Sequence, residues 1–126
     1  MHKVLHIEPA DVCNLSCPAC PRELDTDFDK NQHNHLTVEQ IQSAFGKEFI
    51  AGLDKMFMCG NYGDPIYHPD LPGMVRVLKS RGSHVTITTN GSYKTQGWWD
   101  QLVVLLDARD TVIFSIDGTP DNFTQY

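Results

Sequence analysis

The sequence has no apolar run that approaches the roughly 20 residues of a membrane-spanning helix. Its opening segment, MHKVLHIEP, is too short and too polar for a secretory signal peptide. Basic residues are also few. The sequence has 10 Lys and Arg and 16 Asp and Glu, which gives a net charge of −6. Such a chain repels the phosphates of nucleic acids and of anionic lipids, so we expect neither nucleic acid nor a membrane as a partner. The expected location is the reducing cytoplasm, where clustered cysteines are more often ligands or catalysts than disulfides.

Internal repeats and low-complexity tracts are also absent, and short apolar segments alternate with amphipathic ones. Four strands are predicted, at Lys3–Pro9, Lys55–Cys59, His84–Ser92 and Thr111–Gly118. Three helices are predicted between them, at His35–Gly52, from Leu71 to Gly82, and around Trp98–Leu106. The resulting β-α-β-α-β-α-β order favours an α/β fold with a parallel sheet, strands in sequential order and right-handed crossovers.

The first helix and the segment before it carry local signals. Thr37 and Gln40 fit a capping box at the start of the helix. Apolar residues then recur at helical spacing as far as Gly52, which predicts one continuous helix. The preceding residues 21–35 are rich in Asp, Asn and His, and we predict a polar loop there.

Three of the four cysteines lie within the stretch DVCNLSCPAC, directly after the first predicted strand. Cys13, Cys17 and Cys20 are assigned to a loop of residues 11–22, because the Asn, Ser and Pro between them are typical of loops. The fourth, Cys59, is predicted to be a small apolar residue of the second strand.

Four kinds of site could explain this spacing. A disulfide would leave one of the three thiols unpaired, and disulfides are typical of oxidising compartments rather than the cytoplasm. A dithiol oxidoreductase could use the CPAC segment, but Cys13 would then have no role. A structural zinc site needs four ligands, and the sequence has no second cysteine cluster to complete it. Three thiolates suit a 4Fe–4S cluster with one open iron, which is the favoured interpretation, with a zinc module and a dithiol oxidoreductase as the alternatives.

The Cys-x3-Cys-x2-Cys spacing after the first strand resembles the signature of the radical S-adenosylmethionine (radical SAM) superfamily. The segment GNYGDPIYHPDL after the second strand is similar to the family's Gly-Gly-Glu-Pro loop, TTNGS closes the third strand, and SIDG closes the fourth. This set of motifs resembles the branch that includes SPASM-type and peptide-modifying enzymes. Two positions depart from the pattern, since Ala19 stands where an aromatic residue is usual and Asp64 where a Glu is usual.

The resemblance implies an enzyme whose 4Fe–4S cluster is held by Cys13, Cys17 and Cys20 and binds SAM at its open iron. An electron from a flavodoxin- or ferredoxin-like donor would cleave SAM to a 5′-deoxyadenosyl radical, which abstracts a hydrogen atom from the substrate. The protein would supply orientation and exclude water. The substrate is not specified by the residues, and a peptide is one candidate.

The resemblance also implies which residues contact SAM. These cofactor-binding residues are Gly63, Asp64, Pro65, Asn90, Ser115 and Asp117. The Asp64 carboxylate would accept hydrogen bonds from the methionyl ammonium. Ser115 and Asp117 would bind the methionyl carboxylate and the ribose hydroxyls.

The resemblance extends over residues 3–118, whereas the family's core usually has six strands in a partial (β/α) barrel. We therefore expect residues 1–126 to form the N-terminal part of a radical SAM core domain, a parallel-stranded partial barrel truncated after the fourth strand. The edge of that strand would be open, so self-association through it is a further expectation.

Overall fold

A computed structural model of the chain describes residues 3–122, and its centre is one sheet of four parallel strands. The strands are β1 (Val4–Ile7), β2 (Lys55–Met58), β3 (Val85–Thr89) and β4 (Thr111–Phe114). Their order across the sheet is β1-β2-β3-β4, and each neighbouring pair is parallel. The predicted α/β fold with sequential parallel strands is therefore confirmed, although each strand is shorter than the sequence indicated.

Within residues 3–122, five α-helices connect the strands: α1 (Pro21–Leu24), α2 (Val38–Ala44), α3 (Lys47–Ala51), α4 (Leu71–Ser80) and α5 (Gln96–Val103). The predicted capping box begins α2, because the Thr37 hydroxyl accepts from the Gln40 N–H and the Gln40 side chain accepts from the Thr37 N–H. Asp70 and Thr95 cap α4 and α5, each accepting from the N–H three residues further on. No helix in this part of the chain combines the length and the apolar character needed to cross a lipid bilayer.

The prediction of one continuous helix up to Gly52 is wrong, because the chain forms two helices there. Phe45, at the end of α2, has an extended backbone with φ −118° and ψ 101°, and Gly46 is the N-cap of α3. Glycine disfavours a helix interior by about 1 kcal/mol relative to alanine, so a break at Gly46 costs little. The change of direction leaves Phe49 52% exposed instead of in the core.

The polar segment of residues 21–35, predicted as a loop, begins with the short helix α1. Pro21 occupies the first turn of that helix, where its fixed φ is favourable. The segment then returns to the end of β1, since Ala10 forms an antiparallel bridge with His35. The Asp11 carboxylate accepts hydrogen bonds from the backbone and side-chain N–H groups of Asn34, at 2.7 and 2.8 Å. The polar segment is therefore attached to the loop that carries the cysteines.

The core lies between the sheet and α4, and β3 is its most buried strand. Its fully buried side chains include Met56, Met58, Met74, Val75, Leu78 and Ile87. Trp98 and Trp99 of α5 pack against this core and are half-buried. At the edge of the sheet, by contrast, Ile113 and Phe114 of β4 are 43% and 51% exposed.

A buried ion pair joins α4 to the segment that leads into β4. The Lys79 amino group contacts the carboxylates of Asp110 at 2.5 Å and Asp107 at 2.8 Å, and the Asp110 side chain is fully buried. Asp110 also accepts backbone N–H bonds from Asp107 and from Val85, the first residue of β3, each at 2.8 Å. Burial opposes ionisation, but the hydrogen bonds from Lys79 and from the two N–H groups hold the pKa of Asp110 below its usual value. The charged carboxylate thus aligns the starts of β3 and β4.

We expect Asp110→Ala to lower the free energy of unfolding by about 3 kcal/mol, because it leaves two backbone N–H groups without their acceptor and removes the buried one of the two carboxylates that contact Lys79. Urea unfolding followed by circular dichroism measures this change. Asp100→Ala is the matched control, since Asp100 is exposed on α5 and should change stability by no more than about 0.5 kcal/mol. Equal effects of the two substitutions would contradict a special role for Asp110.

Candidate functional site

The C-terminal ends of all four strands open into one cavity of about 280 Å³. Its lining consists of Cys13, Leu15, Cys17, Cys20 and Arg22 after β1, residues 59–64 after β2, residues 88–90 at the end of β3, and Ser115 and Asp117 after β4. Parallel strands place their C-terminal ends on one edge of the sheet, which is where α/β proteins bind ligands. Motifs that are far apart in the sequence therefore meet at this edge.

Asp64, which is 5% exposed, holds three of these loops together through its side chain and its backbone N–H. One carboxylate oxygen accepts the Ile66 N–H at 3.1 Å, and the other accepts the Asn90 N–H at 2.7 Å. The backbone N–H of Asp64 donates to the carbonyl oxygen of Val12 in the cysteine loop, at 2.8 Å. Asp64 thus links the loops after β1 and β2 to the end of β3.

A second link comes from Arg22, which the sequence did not single out. Its guanidinium donates hydrogen bonds to the carbonyl oxygens of Asp11 and Tyr62, the latter at 2.7 Å, and lies 5.1 Å from the centre of the Phe28 ring. The side chain is only 6% exposed, and no carboxylate pairs with it among the ion pairs of the described residues. This buried cation joins the cysteine loop to the loop after β2.

Two glycines allow these loops to approach each other closely. A Cβ atom at Gly63 would lie 2.1 Å from the carbonyl oxygen of Ala10, and one at Gly60 would lie 2.0 Å from the carbonyl oxygen of Gly63. Both neighbours are backbone atoms, which cannot move aside as a flexible side chain can. Gly63 is therefore required by the close contact with the end of β1, and Gly60 by the close contact within the loop after β2 itself.

The cysteines in the loop after β1 are free of disulfides and partly buried, so the disulfide alternative receives no support. The sulfur of Cys13 accepts hydrogen bonds from the Leu15 N–H and from the Asn90 side-chain amide, each at 3.5 Å. Burial raises the pKa of the Cys13 thiol, and the Asp64 carboxylate adds to this effect, whereas the Leu15 N–H and Arg22 lower it. Binding of a metal to this thiol must therefore release a proton.

Cys59 lies one residue beyond β2 and lines the same cavity, so its predicted place as an apolar residue within the strand is wrong. Its N–H donates to the carbonyl oxygen of Ile7 at 3.3 Å, and its own carbonyl oxygen accepts from the His6 ring at 3.1 Å. Burial raises the pKa of the Cys59 thiol. That Cys59 stands outside a cluster remains a prediction.

Most of the predicted site residues reach the cavity. Gly63, Asp64, Asn90, Ser115 and Asp117 line it together with the three clustered cysteines. Pro65 does not line it, and instead starts a buried turn of 3-10 helix at Pro65–Tyr67. The sequence did not predict that Arg22 and Cys59 line the cavity. Their only signal in the sequence was that Arg22 closely follows Cys20 and that Cys59 directly precedes the GNYGDP segment.

The sulfur atoms are not arranged around one small ion. In the described part of the chain, the only three ligand atoms within 4.8 Å of one another belong to His84, Asp107 and Asp110. The Lys79 amino group already binds both of those carboxylates. The sulfurs of Cys13, Cys17 and Cys20 do not form such a set, which disfavours a single zinc ion with zinc–sulfur bonds of about 2.3 Å.

The family to which the chain belongs is shown by comparison with known proteins. Residues 7–126 match the sequence pattern of the Radical SAM superfamily. The chain belongs to this superfamily. The cysteine loop of the radical SAM chain and its motifs after β2, β3 and β4 all fall inside the matching region.

Several curated proteins are similar to this radical SAM chain. One is the tungsten-containing aldehyde ferredoxin oxidoreductase cofactor-modifying protein of Pyrococcus furiosus, which is 33% identical over 118 residues, or 94% of this chain and 32% of that protein. GTP 3′,8-cyclase 1 of Mycobacterium tuberculosis is 31% identical over 69% of this chain and 25% of the cyclase. PqqA peptide cyclase of Streptomyces rochei is 31% identical over 68% of this chain and 22% of the relative. The radical SAM chain thus spans about a third or less of these relatives.

A solved structure shares the fold. The crystal structure of BtrN in complex with AdoMet and 2-DOIA has a TM-score of 0.63 and 20% sequence identity to this chain, covering 94% of this chain and 48% of BtrN. The α/β partial fold of the radical SAM chain therefore corresponds to about half of that protein.

We expect Gly63→Ala to destabilise the chain by roughly 3 kcal/mol, because its methyl group would overlap the backbone of Ala10 and Asp11. Gly97→Ala is the matched control. A Cβ atom at Gly97 would have no heavy atom within 4 Å, and alanine in the first turns of α5 should raise stability by up to about 1 kcal/mol. Thermal unfolding of both variants and the parent measures the difference, and unchanged stability of Gly63→Ala would contradict the close packing of the two loops.

Proposed function

We propose that the chain is part of a radical SAM enzyme in which Cys13, Cys17 and Cys20 hold a 4Fe–4S cluster and the adjoining cavity receives SAM. Superfamily members generally use both cofactors. The observation that carries the proposal is that the three motif thiols and the motif residues after β2, β3 and β4 line a single cavity.

The donor set fits the cluster. Iron–sulfur clusters are held by cysteine thiolates, and three of them leave one iron free for another ligand. All three cysteines are partly buried on one loop, and that loop is fixed by Asp64 and Arg22 through backbone contacts. Within residues 3–122, their three sulfurs are not all within 4.8 Å of one another, so they do not surround one small ion.

The polar residues of the cavity are suited to SAM, whose methionyl part carries an ammonium and a carboxylate. Each Asp64 oxygen accepts one backbone N–H, and a carboxylate oxygen has two lone pairs, so both can accept a further bond from the ammonium. Ser115 and Asp117 lie exposed after β4 and offer a hydroxyl and a carboxylate to the methionyl carboxylate and the ribose hydroxyls. When bound, the two cofactors supply one-electron cleavage of SAM and hydrogen abstraction from a substrate.

We also propose the kinds of molecule with which the chain interacts. The electron donor is a flavodoxin- or ferredoxin-like protein of the cytoplasm, and nucleic acid and membranes are not partners of this acidic chain. The relatives act on different molecules, and the name of PqqA peptide cyclase is the one that supports a peptide substrate. Self-association is proposed at the β4 edge, where Ile113, Phe114 and Ile116 are exposed.

Anaerobic reconstitution with iron and sulfide tests the cluster. We expect about four irons per chain and a broad absorbance near 400 nm from thiolate-to-iron charge transfer. Alanine substitution of Cys13, Cys17 or Cys20 should abolish this absorbance. Cys59→Ala is the matched control, since it removes a thiol from the same cavity and should leave the absorbance intact.

Two outcomes would favour the alternative functions. Stoichiometric zinc with no bindable iron would indicate a structural zinc module. Reduction of insulin disulfides that survives Cys13→Ala but requires Cys17 and Cys20 would indicate a dithiol oxidoreductase.

Calorimetry on the cluster-loaded chain tests the SAM contacts. We expect Asp64→Asn to weaken SAM binding by roughly ten- to a hundredfold, because a charged hydrogen bond to the ammonium is worth about 1.5–3 kcal/mol. The exposed Asp100 of α5 lies outside the cavity, so Asp100→Asn should leave the affinity unchanged. If Asp64→Asn binds SAM as tightly as the parent, the role of Asp64 toward SAM is wrong. Asparagine keeps one acceptor oxygen and so loses one of the two backbone N–H bonds of Asp64, a structural loss that thermal unfolding of the variant measures separately.

A further inference from the structure

The side chain of Asn90 has a fixed orientation next to Cys13. Its Oδ1 accepts hydrogen bonds from the Ser92 N–H at 2.9 Å and from the Ser92 hydroxyl at 2.7 Å. Because a backbone N–H can only donate, the group that faces Ser92 must be the amide oxygen. The NH₂ group therefore faces the other way, toward the sulfur of Cys13 at 3.5 Å and Asn14 Oδ1 at 3.1 Å.

The surroundings prevent this amide from turning. The backbone N–H of Asn90 is held by the buried Asp64 carboxylate at 2.7 Å. On the opposite side, the Asn14 side-chain amide donates to the Ser92 hydroxyl at 2.9 Å, which closes a ring of hydrogen bonds between the cysteine loop and the end of β3. The N–H donor of Asn90 is thus held against the cysteine loop by contacts at both ends of the residue.

This contact distinguishes Cys13 from the other two cysteines of the motif. Cys13 sulfur accepts two N–H donors, from Leu15 and Asn90. The sulfur of Cys20 instead donates to the Asn61 carbonyl oxygen at 3.6 Å. In the hydrogen bonds of residues 3–122, Cys13 is the only clustered cysteine whose sulfur accepts a side-chain donor.

We propose that Asn90 is a positioning residue for the iron–sulfur cluster, which orients the Cys13 sulfur and raises the reduction potential of the cluster through an N–H···S hydrogen bond. Hydrogen bonds to cysteine sulfur stabilise the added negative charge of the reduced cluster and are among the factors that set its potential. The inference rests on the proposed function and assigns Asn90 to the cluster, whereas the sequence motif had assigned it to SAM.

A matched pair of substitutions tests the proposal. Asn90→Asp keeps the oxygen that accepts from Ser92 and replaces the donor to Cys13 with a negative oxygen. Asn14→Asp adds the same charge to the same ring but keeps the oxygen that accepts from Asn90, and in the hydrogen bonds of residues 3–122 the Asn14 side chain makes none to the Cys13 sulfur. A redox titration of the reconstituted chain, followed by electron paramagnetic resonance, should give a more negative midpoint potential for Asn90→Asp than for Asn14→Asp.

The outcomes are distinguishable. Equal shifts in the two variants would overturn the proposal, because charge alone would then explain them. If Asn90→Asp incorporates no iron, the neutral pair Asn90→Ala and Asn14→Ala is titrated, and the lower potential must again belong to the Asn90 variant. Loss of iron incorporation in both Asn90 variants but in neither Asn14 variant supports the positioning role, and loss in all four overturns it. A parent chain that incorporates no cluster refutes the proposed function itself.

Discussion

The hydrogen bonds of Asp64 are the contacts on which the shape of the cavity depends. Its carboxylate accepts the N–H groups of Ile66 and Asn90, and its own N–H donates to Val12, so one buried residue joins three loops. The contact with Ile66 is a cap on the 3-10 turn, and Asp is among the favoured capping residues because its short side chain reaches the N–H two or three positions on. Asp64 stands where Glu is usual in this motif. Its shorter side chain accepts two backbone N–H groups and also lines the cavity.

The sheet makes this arrangement possible. The parallel pairing aligns Ile7 with Met58, the last residues of β1 and β2, and Thr89 with Phe114, the last residues of β3 and β4. Each of these strand ends is followed within a few residues by a segment that lines the cavity. The buried pair of Lys79 and Asp110 acts at the opposite ends of β3 and β4, where it holds their starts. The two ends of the sheet thus differ, since one carries the buried ion pair and the other forms the cavity.

Local signals predicted much of this structure. The capping box at Thr37 and the alternation of strands and helices are set by residues that are near one another in the sequence. The three clustered cysteines are likewise close in sequence. The break at Gly46 was missed because apolar spacing alone does not show whether a helix continues through glycine. Arg22 could not be assigned from sequence, since its role depends on carbonyl oxygens of residues 11 and 40 positions away. The contact of the Asn90 amide with the Cys13 sulfur likewise joins residues that are 77 positions apart in the sequence.

The exposed edge of β4 has a consequence for how the chain behaves in solution. Ile113, Phe114 and Ile116 are 43%, 51% and 72% exposed on a chain whose net charge is −6. Mutual repulsion opposes contact between such copies over a Debye length of about 8 Å at physiological ionic strength. Added salt shortens that range, and acidification toward the isoelectric point near 5.3 removes the charge itself. The colloidal stability of the chain therefore depends on ionic strength and pH, and we expect its lowest solubility in mildly acidic buffer of high ionic strength.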